Sequence, residues 1–579
     1  MLLLAAATQG EYAAQQPERL STVQRANESY AAGMEALKNQ DLAAARAKFE
    51  VAVKLMPTSP EAHNSLGWVL LAQGETDSAI VQFRAALHSK PQFVQAHINL
   101  ANALVRKRNA QEALKESRES VRLAPQDSEA RRTLGHALDF AGETREAAAA
   151  LKKAVELEPA RADLHDELGS VLARLPEDET AEAEFREAIR LSPEFAQAHL
   201  HLGVFLSGKK VNNQAIQELE TAVQLDPQSP AAFYFLGLVW RDQGDTEKAV
   251  AALQASIRLN ADQVDAQNAL GLLLQHGTHP EQAISAFREV VRLQPKNPDG
   301  HNNLGLALLQ TGDANGAITE FEAALVQKSG DAGYETNLGV AHLQKADFTS
   351  AAHQFESALS KNPDNATLHY DLGLALKLQD KLTEAIAEFR KAEALDPNQP
   401  DAPYTLGITL WQQGDFDAAV AELRTATRIK PDYAEAFYTL GTVLKQQGKL
   451  PEAADALREA LRLQPDFAGA HTTLAAVLRQ LGDSEGAAAE AKAGAELAKR
   501  KTDLQAALFA TNSGKRLRNA GDLDGAISQF RSAINASHDF AAAHYELGLA
   551  LLQQGKKDEA AKEFDVAHAL DPKLEPPTK

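Results

Sequence analysis

Three short stretches carry residue types used for catalysis and ligand binding. "GVFLSGKK", 203–210, places Gly203, Gly208 and Lys209 at the spacing of a phosphate-cradling loop. The next residue should be Ser or Thr to hold magnesium; it is Lys210, and no strand precedes the stretch, so nucleotide binding is not supported. His276 and His279 stand at metal-compatible spacing in a predicted turn, without a third ligand in view. "HNNLGLALLQTGD", 301–313, sets His301, Asn302 and Asn303 beside Gly305 in a stretch that otherwise reads as helix. A mid-helix glycine costs about 1 kcal/mol relative to alanine, so Gly305 needs a reason. The chain has 17 histidines and no cysteine, which excludes disulfides, thiolate nucleophiles and sulfur-ligated zinc. No serine-histidine-acid set or paired-carboxylate site can be assembled from spacing. Neither catalysis by this chain alone nor a cofactor is expected.

The elements that must position these residues follow from a period. Alanine recurs at 45, 79, 113, 147 and onward every 34 residues to 487, fourteen copies without an insertion. Twelve residues before each stands a glycine (Gly33, Gly67, Gly135), replaced only by Ala101 and Ala475. Four residues after stands a large apolar residue (Phe49, Phe83, Leu151), with Ser117 and Ala491 as exceptions. Proline closes most units, as at Pro57, Pro91 and Pro125. Two further copies, centred on Ala526 and Ala560, follow after five extra residues. In 298–331, Leu304, Ala307 and Leu308 form one helical stripe. After the turn at Gly312 and Asp313, Ala317, Ile318, Phe321 and Ala324 form a second. Neither helix buries its apolar faces alone, so units must stack into a solenoid.

This pattern resembles the tetratricopeptide repeat, a helix-turn-helix of 34 residues with small residues at unit positions 8, 20 and 27 and proline at 32. Unit positions are counted from Ala26, Pro60 and every 34th residue to Ala468, then from Ala507 and Ala541. The fold class implied is all-α: a right-handed superhelix of antiparallel helix pairs, with first helices lining a concave groove. The expected organisation is a tail or signal remnant at 1–25, fourteen units over 26–501, a joint at 502–506, two units over 507–574 and a tail at 575–579. Between repeats 14 and 15 the closing proline is missing. Either one long helix runs through the joint, which is favoured, or Thr502 starts a new helix with Gln505 as its capping partner. No solvating helix follows the last repeat, so self-association through that end is also an expectation.

Eight histidines (His63, His97, His165, His199, His301, His369, His471 and His544) occupy unit position 4, often an aromatic packing position in the family. Recurrence with the repeat points to packing. The resemblance turns positions 2, 5, 6, 9, 12 and 13 toward the groove. There the chain carries Asn302, then Asn99, Asn303, Asn337 and Asn512, similar to the asparagine ladder of O-GlcNAc transferases, whose amides hold a peptide backbone. Tyr370, Tyr404 and Tyr438 fall at position 5 of three consecutive repeats, with Trp411 between them, a second candidate surface. No three consecutive repeats carry the lysine and asparagine clamp of chaperone-binding members. At the joint, Lys499, Arg500, Lys501, Lys515, Arg516 and Arg518 form a candidate patch for an acidic partner.

The 59 basic and 79 acidic residues give a net charge of −20, which disfavours general binding to nucleic acid or an anionic membrane. No apolar run reaches the length of a membrane span. Leu2 to Ala7 resembles the end of a secretory signal without its basic lead, so export to the periplasm or envelope is slightly favoured over the cytoplasm. The expected function is a non-enzymatic scaffold holding a protein or peptide in the groove. Two alternatives are the repeat half of a partnered glycosyltransferase and an envelope assembly scaffold.

Overall fold

The computed structural model describes residues 21–175, 180–277 and 280–577. The apolar stretch Leu2 to Ala7 and the His276 and His279 side chains lie outside the described residues. Among the described residues there are 31 α-helices, numbered α1 to α31 in chain order, and no strand. None of these helices is long and apolar enough to cross a membrane. The chain is an all-α helical-repeat solenoid that divides into two compact units, α1 to α16 up to Pro295 and α17 to α31 from Lys296.

One repeat shows why these residues form these elements. The first helix, α17 (Pro298–Gln310), starts with proline at its first turn, and the Asn297 side chain accepts from the Asp299 and Gly300 N–H groups. Gly312 then takes φ 88°, the left-handed conformation that ends the helix. Asp313 caps α18 (Ala314–Gln327) by accepting from the Gly316 N–H at 2.9 Å. In five repeats the same turn position holds Gln40, Arg108, Lys210, Ala346 or Asp380, at φ between 58° and 63°. Each of those side chains bears a left-handed backbone that costs an L-residue about 1–2 kcal/mol.

Gly305 has its reason in α18. A Cβ at Gly305 would stand 2.6 Å from a ring carbon of Phe321, which is fully buried. The lost helix propensity is offset by a phenylalanine seated against the bare backbone. The two repeats that lack the glycine obey the same rule in reverse. Ala101 is matched by Ser117 and Ala475 by Ala491, so a Cβ on the first helix coincides with a small residue on the second.

Two boundaries carry information. Helix α1 (Thr22–Lys38) begins four residues ahead of the first repeat position, inside the segment expected as tail, because Ser21 and Gln24 close a capping box there. At the joint, α28 (Ser484–Asn519) runs without interruption for 36 residues. Thr502 caps nothing; its Oγ1 donates to the Ala498 carbonyl at 3.1 Å. From Ala495 to Ser513 the sequence contains neither glycine nor proline, so nothing breaks the ladder of backbone hydrogen bonds.

Candidate functional site

The position-4 histidines are buried or half-buried, and they do more than fill space. His97 sets Nδ1 2.6 Å from a Glu116 carboxylate oxygen and Nε2 2.9 Å from the Pro91 carbonyl. The same clasp recurs as His165 with Glu184, His199 with Glu218, His369 with Glu388, His471 with Glu490 and His544 with Glu563, all at 2.5–2.7 Å. His301 meets Glu320 at 2.7 Å, and in one repeat the partner is neutral, His63 with Gln82 at 2.7 Å. A nitrogen facing a carbonyl must donate, and one facing a carboxylate is placed to donate as well, so the clasp orients the ring between two acceptors on different elements. Burial opposes the charge on His97, but the hydrogen bonds to Glu116 and Pro91 and the charges of Glu116 and Glu119 outweigh it and raise its pKa. The hydrogen bond from His97 in turn lowers the pKa of Glu116. The sequence contains the signal for this pairing. Position 23 is Glu or Gln opposite every position-4 histidine, and Ala150, Ala252, Ala286 or Ala456 opposite Arg131, Phe233, Gln267 or Phe437.

Three of the asparagines expected along the groove, Asn99, Asn302 and Asn337, bond to another asparagine. Asn337 Nδ2 donates to Asn302 Oδ1 at 2.8 Å, and the buried Asn99 donates to Asn64 at 2.9 Å. Position 5 of one repeat thus meets position 6 of the next. The same 35-residue offset joins Tyr30 to Ser65, Arg132 to Glu167, Asp166 to His201 and Tyr370 to Thr405. Asn303 is half-buried on α17, and Asn512 is exposed on α28. These amides do not form a free track; each bonded pair is mainly a stitch between neighbouring repeats.

The aromatic group is likewise half-committed to the stack. Tyr404 packs on Tyr433 with ring centroids 4.8 Å apart, and Tyr438 on Phe467 at 4.6 Å. Trp411 donates its indole N–H to Gln446, again 35 residues on. Beside Tyr370, burial alone pushes the Asp371 carboxyl up to about 6. The six cations at the joint do not gather into one patch. Lys515 and Arg518 converge on Glu546 at 3.1 and 2.7 Å, and Arg500 pairs with Asp539 at 3.2 Å. Fourteen residues of helix, roughly 21 Å, separate Lys501 from Lys515.

What spacing did not reveal is a cavity of about 790 Å³ lined by the first helices of three successive repeats, α7 (Ser128–Phe140), α9 (Ala162–Leu172) and α11 (Ala196–Gly208). Its floor is apolar, with Leu151, Val171, Phe185, Val204 and Phe205. Its rim is charged. Glu167 accepts from Arg132 at 2.9 Å and faces His136 at 3.0 Å, and Asp139 takes Arg174. Burial works against the Glu167 charge, and the bonds from His136 and Arg132 win, leaving its pKa below the usual range. Lys209 sits over the Phe205 ring at 5.5 Å. In this setting "GVFLSGKK" is the end of α11: Gly203 packs against Leu219, and Lys209 follows the helix C-terminus, the negative end of its dipole.

Ser170, His201 and Asp166 meet on this rim, at 3.1 Å and 2.9 Å, but both oxygens face the same ring nitrogen, Nδ1. A relay needs the serine and the acid on opposite nitrogens, and His201 Nε2 faces Gln197 instead, at 2.7 Å. Among the described residues no group of three histidine or acidic side chains is arranged to hold a metal.

Among curated proteins no match was found. Solved structures similar to the chain include the APC/C hetero-tetramer Cut9-Hcn1, at 15% identity and TM-score 0.37 over 79% of this chain and 97% of that one. MamA matches at 21% identity and TM-score 0.28, over 29% of this chain and 92% of its own. YrrB, a TPR protein, matches at 24% identity and TM-score 0.27, over 32% and 96%. The profile of the tetratricopeptide repeat matches residues 30–92, 69–128, 132–196, 212–264, 268–332, 336–400, 404–466, 438–503 and 511–575. With the 34-residue period, the glycine-against-phenylalanine packing and this profile match over most of its length, the chain belongs to the tetratricopeptide repeat family.

Proposed function

We propose that the chain is a non-enzymatic interaction scaffold that holds a protein or peptide segment against its first helices, with no cofactor. The observation that carries this reading is the cavity of about 790 Å³ across α7, α9 and α11. An apolar floor under a rim of paired charges suits an extended segment that places one apolar side chain in the cavity and polar groups on the rim. The Asn302 and Asn337 pair, Asn303 and the half-exposed Tyr370, Tyr404, Trp411 and Tyr438 offer secondary contacts on equivalent faces. The family typically mediates protein–protein interactions, and that coarse role is the one these sites serve.

A photo-crosslinker at Lys209 on the rim, followed by mass spectrometry in native extract, tests the site. The expected result is a crosslinked partner segment that Val204→Asp, at a half-buried floor position, abolishes while the thermal melt of the scaffold stays in place. Capture of the same partner by the Val204→Asp chain would refute the site. Transferase activity of the purified chain would refute the scaffold reading.

A further inference from the structure

Position 3 of the repeat is a stacking position. Ala543 there is fully buried against Ala507 on α28 and Ala533 on α29 (Leu523–Ala536), the two helices of the preceding repeat. Large residues are buried at this position as completely as small ones: Leu164, Leu368 and Tyr334 are each at most 7% exposed. Phe509 holds the same position in repeat 15 and is 72% exposed. The cause is the five extra residues. The second helix of repeat 14 runs on as α28 into the first helix of repeat 15, so no separate helix lies across that face.

The uncovered face has a definite chemistry. Lys501, Leu504, Leu508, Asn512 and Arg516 follow one another at spacings of three and four, with Phe509 adjoining, and all six are exposed. No acid lies among them; Asp503 points to the other side of the helix, and Asp539 and Glu546 are taken by Arg500, Lys515 and Arg518. This is an apolar and basic strip on a chain of net charge −20.

We propose that this face of α28 docks an acidic amphipathic α-helix of a partner protein, about four turns long, in the place a preceding repeat's second helix takes elsewhere in the array. The occupant is a helix because helices cover position 3 in repeats 2 to 14 and in repeat 16, the repeats that stack on a separate preceding pair. Its acidity follows from Lys501 and Arg516, which flank the apolar residues and leave an acidic strip as the complementary charge pattern. The surface is separate from the cavity at α7, α9 and α11, so either assignment can fail without the other.

The test uses the full chain and two labelled 18-residue helical peptides, one with leucine on one face and glutamate on the other, one with lysine in place of glutamate. Fluorescence anisotropy should show the acidic peptide binding more tightly than the basic one, with an affinity that falls as salt rises. Phe509→Asp should weaken it by roughly tenfold or more, as expected for an aromatic anchor. Lys501→Glu with Arg516→Glu should reverse the peptide preference. These substitutions lie on an exposed face, and circular dichroism should show unchanged helix content. Equal binding of the two peptides, or binding that Phe509→Asp leaves alone, would overturn the proposal. So would two other results: concentration-dependent oligomers that Phe509→Asp abolishes, making the occupant a second copy, and binding to phosphatidylserine vesicles without peptide binding.

Discussion

The boundary between repeats 9 and 10 and the joint between repeats 14 and 15 solve the same problem differently. At the first, α19 (Ala332–Gln344) stacks on the preceding pair: Tyr334 is buried, its hydroxyl donates to Asp299, and Asn337 stitches to Asn302. At the second, the corresponding residues Phe509 and Asn512 are exposed, and the repeats are linked by unbroken helix. Side-chain stitching couples neighbours through buried area and many weak bonds. Helix continuity couples them through the backbone and leaves a stacking face open.

The largest difference should appear with proline. Ala506→Pro removes a hydrogen bond from the middle of α28 and should cost about 3 kcal/mol or more, so that repeats 15 and 16 melt separately from the rest in calorimetry. Ser329→Pro, at the position where most repeats carry proline, should be neutral or stabilise by about 0.5 kcal/mol. Equal effects at the two sites would mean that α28 carries no coupling.

Within the regular stack, Gly305→Ala should destabilise by about 1–3 kcal/mol, because its Cβ drives into Phe321. Phe321→Ala alone should cost about 3–5 kcal/mol. Together they should cost less than the sum, since Ala475 with Ala491 is a native solution to the same contact. Urea titration of the four proteins in a double-mutant cycle reads this directly.

A third contrast is in pH. With its pKa raised in the fold, His97 contributes stability that is complete below its unfolded value, near 6.5, and lost as pH rises through the folded value. Its partner Glu116, lowered, contributes stability above the ordinary carboxylate range that is lost in acid. Glu119 and Lys115 are the other charges acting on the pair. The joint has no such clasp, since Ala510 replaces the histidine. Repeat 12 has only half of one: Pro403 stands at position 4, and Glu422, desolvated and beside Glu393, is pushed up to about 7. A native carboxyl that holds its proton longer than the unfolded chain does destabilises the fold as pH rises from about 4.5 to 7. His97→Gln should flatten the loss of stability at high pH, and Glu422→Gln should remove its own share near neutrality. Melts across pH 5 to 8.5 that overlay the wild type would sink both assignments.

The smallest effect is at the turns. Ala346→Gly should stabilise by up to about 1 kcal/mol, since only the left-handed φ of 61° changes in cost. The same exchange at Ala506, inside α28, should destabilise by about 1 kcal/mol. Thermal melts of the two variants give the comparison.

Most of the helix array was legible in the sequence. The period places Gly305 against a second helix, and the turn at Gly312 and Asp313 falls where the periodicity puts it. The eight position-4 histidines were visible too, but their partners lie 19 residues on, in a different helix, where single-helix periodicity reports nothing. The cavity was hidden for the same reason. Its rim pairs, Arg132 with Glu167 and Asp166 with His201, join residues 35 apart. That offset is set by how one helix pair slides on the next.

The sequence by itself determined the elements: the positions of the turns, the faces each helix must bury, and the five-residue shift near 502. These are local, fixed by caps, glycines and apolar spacing within a few turns. Only the tertiary structure decided which side chains share a rim, that Asn302 and Asn337 are bonded to each other, and that Phe509 is exposed while its equivalents in repeats 2 to 14 and 16 are buried. Burial belongs to the neighbour as much as to the residue, and at the joint the neighbour is absent because its helix continues in line.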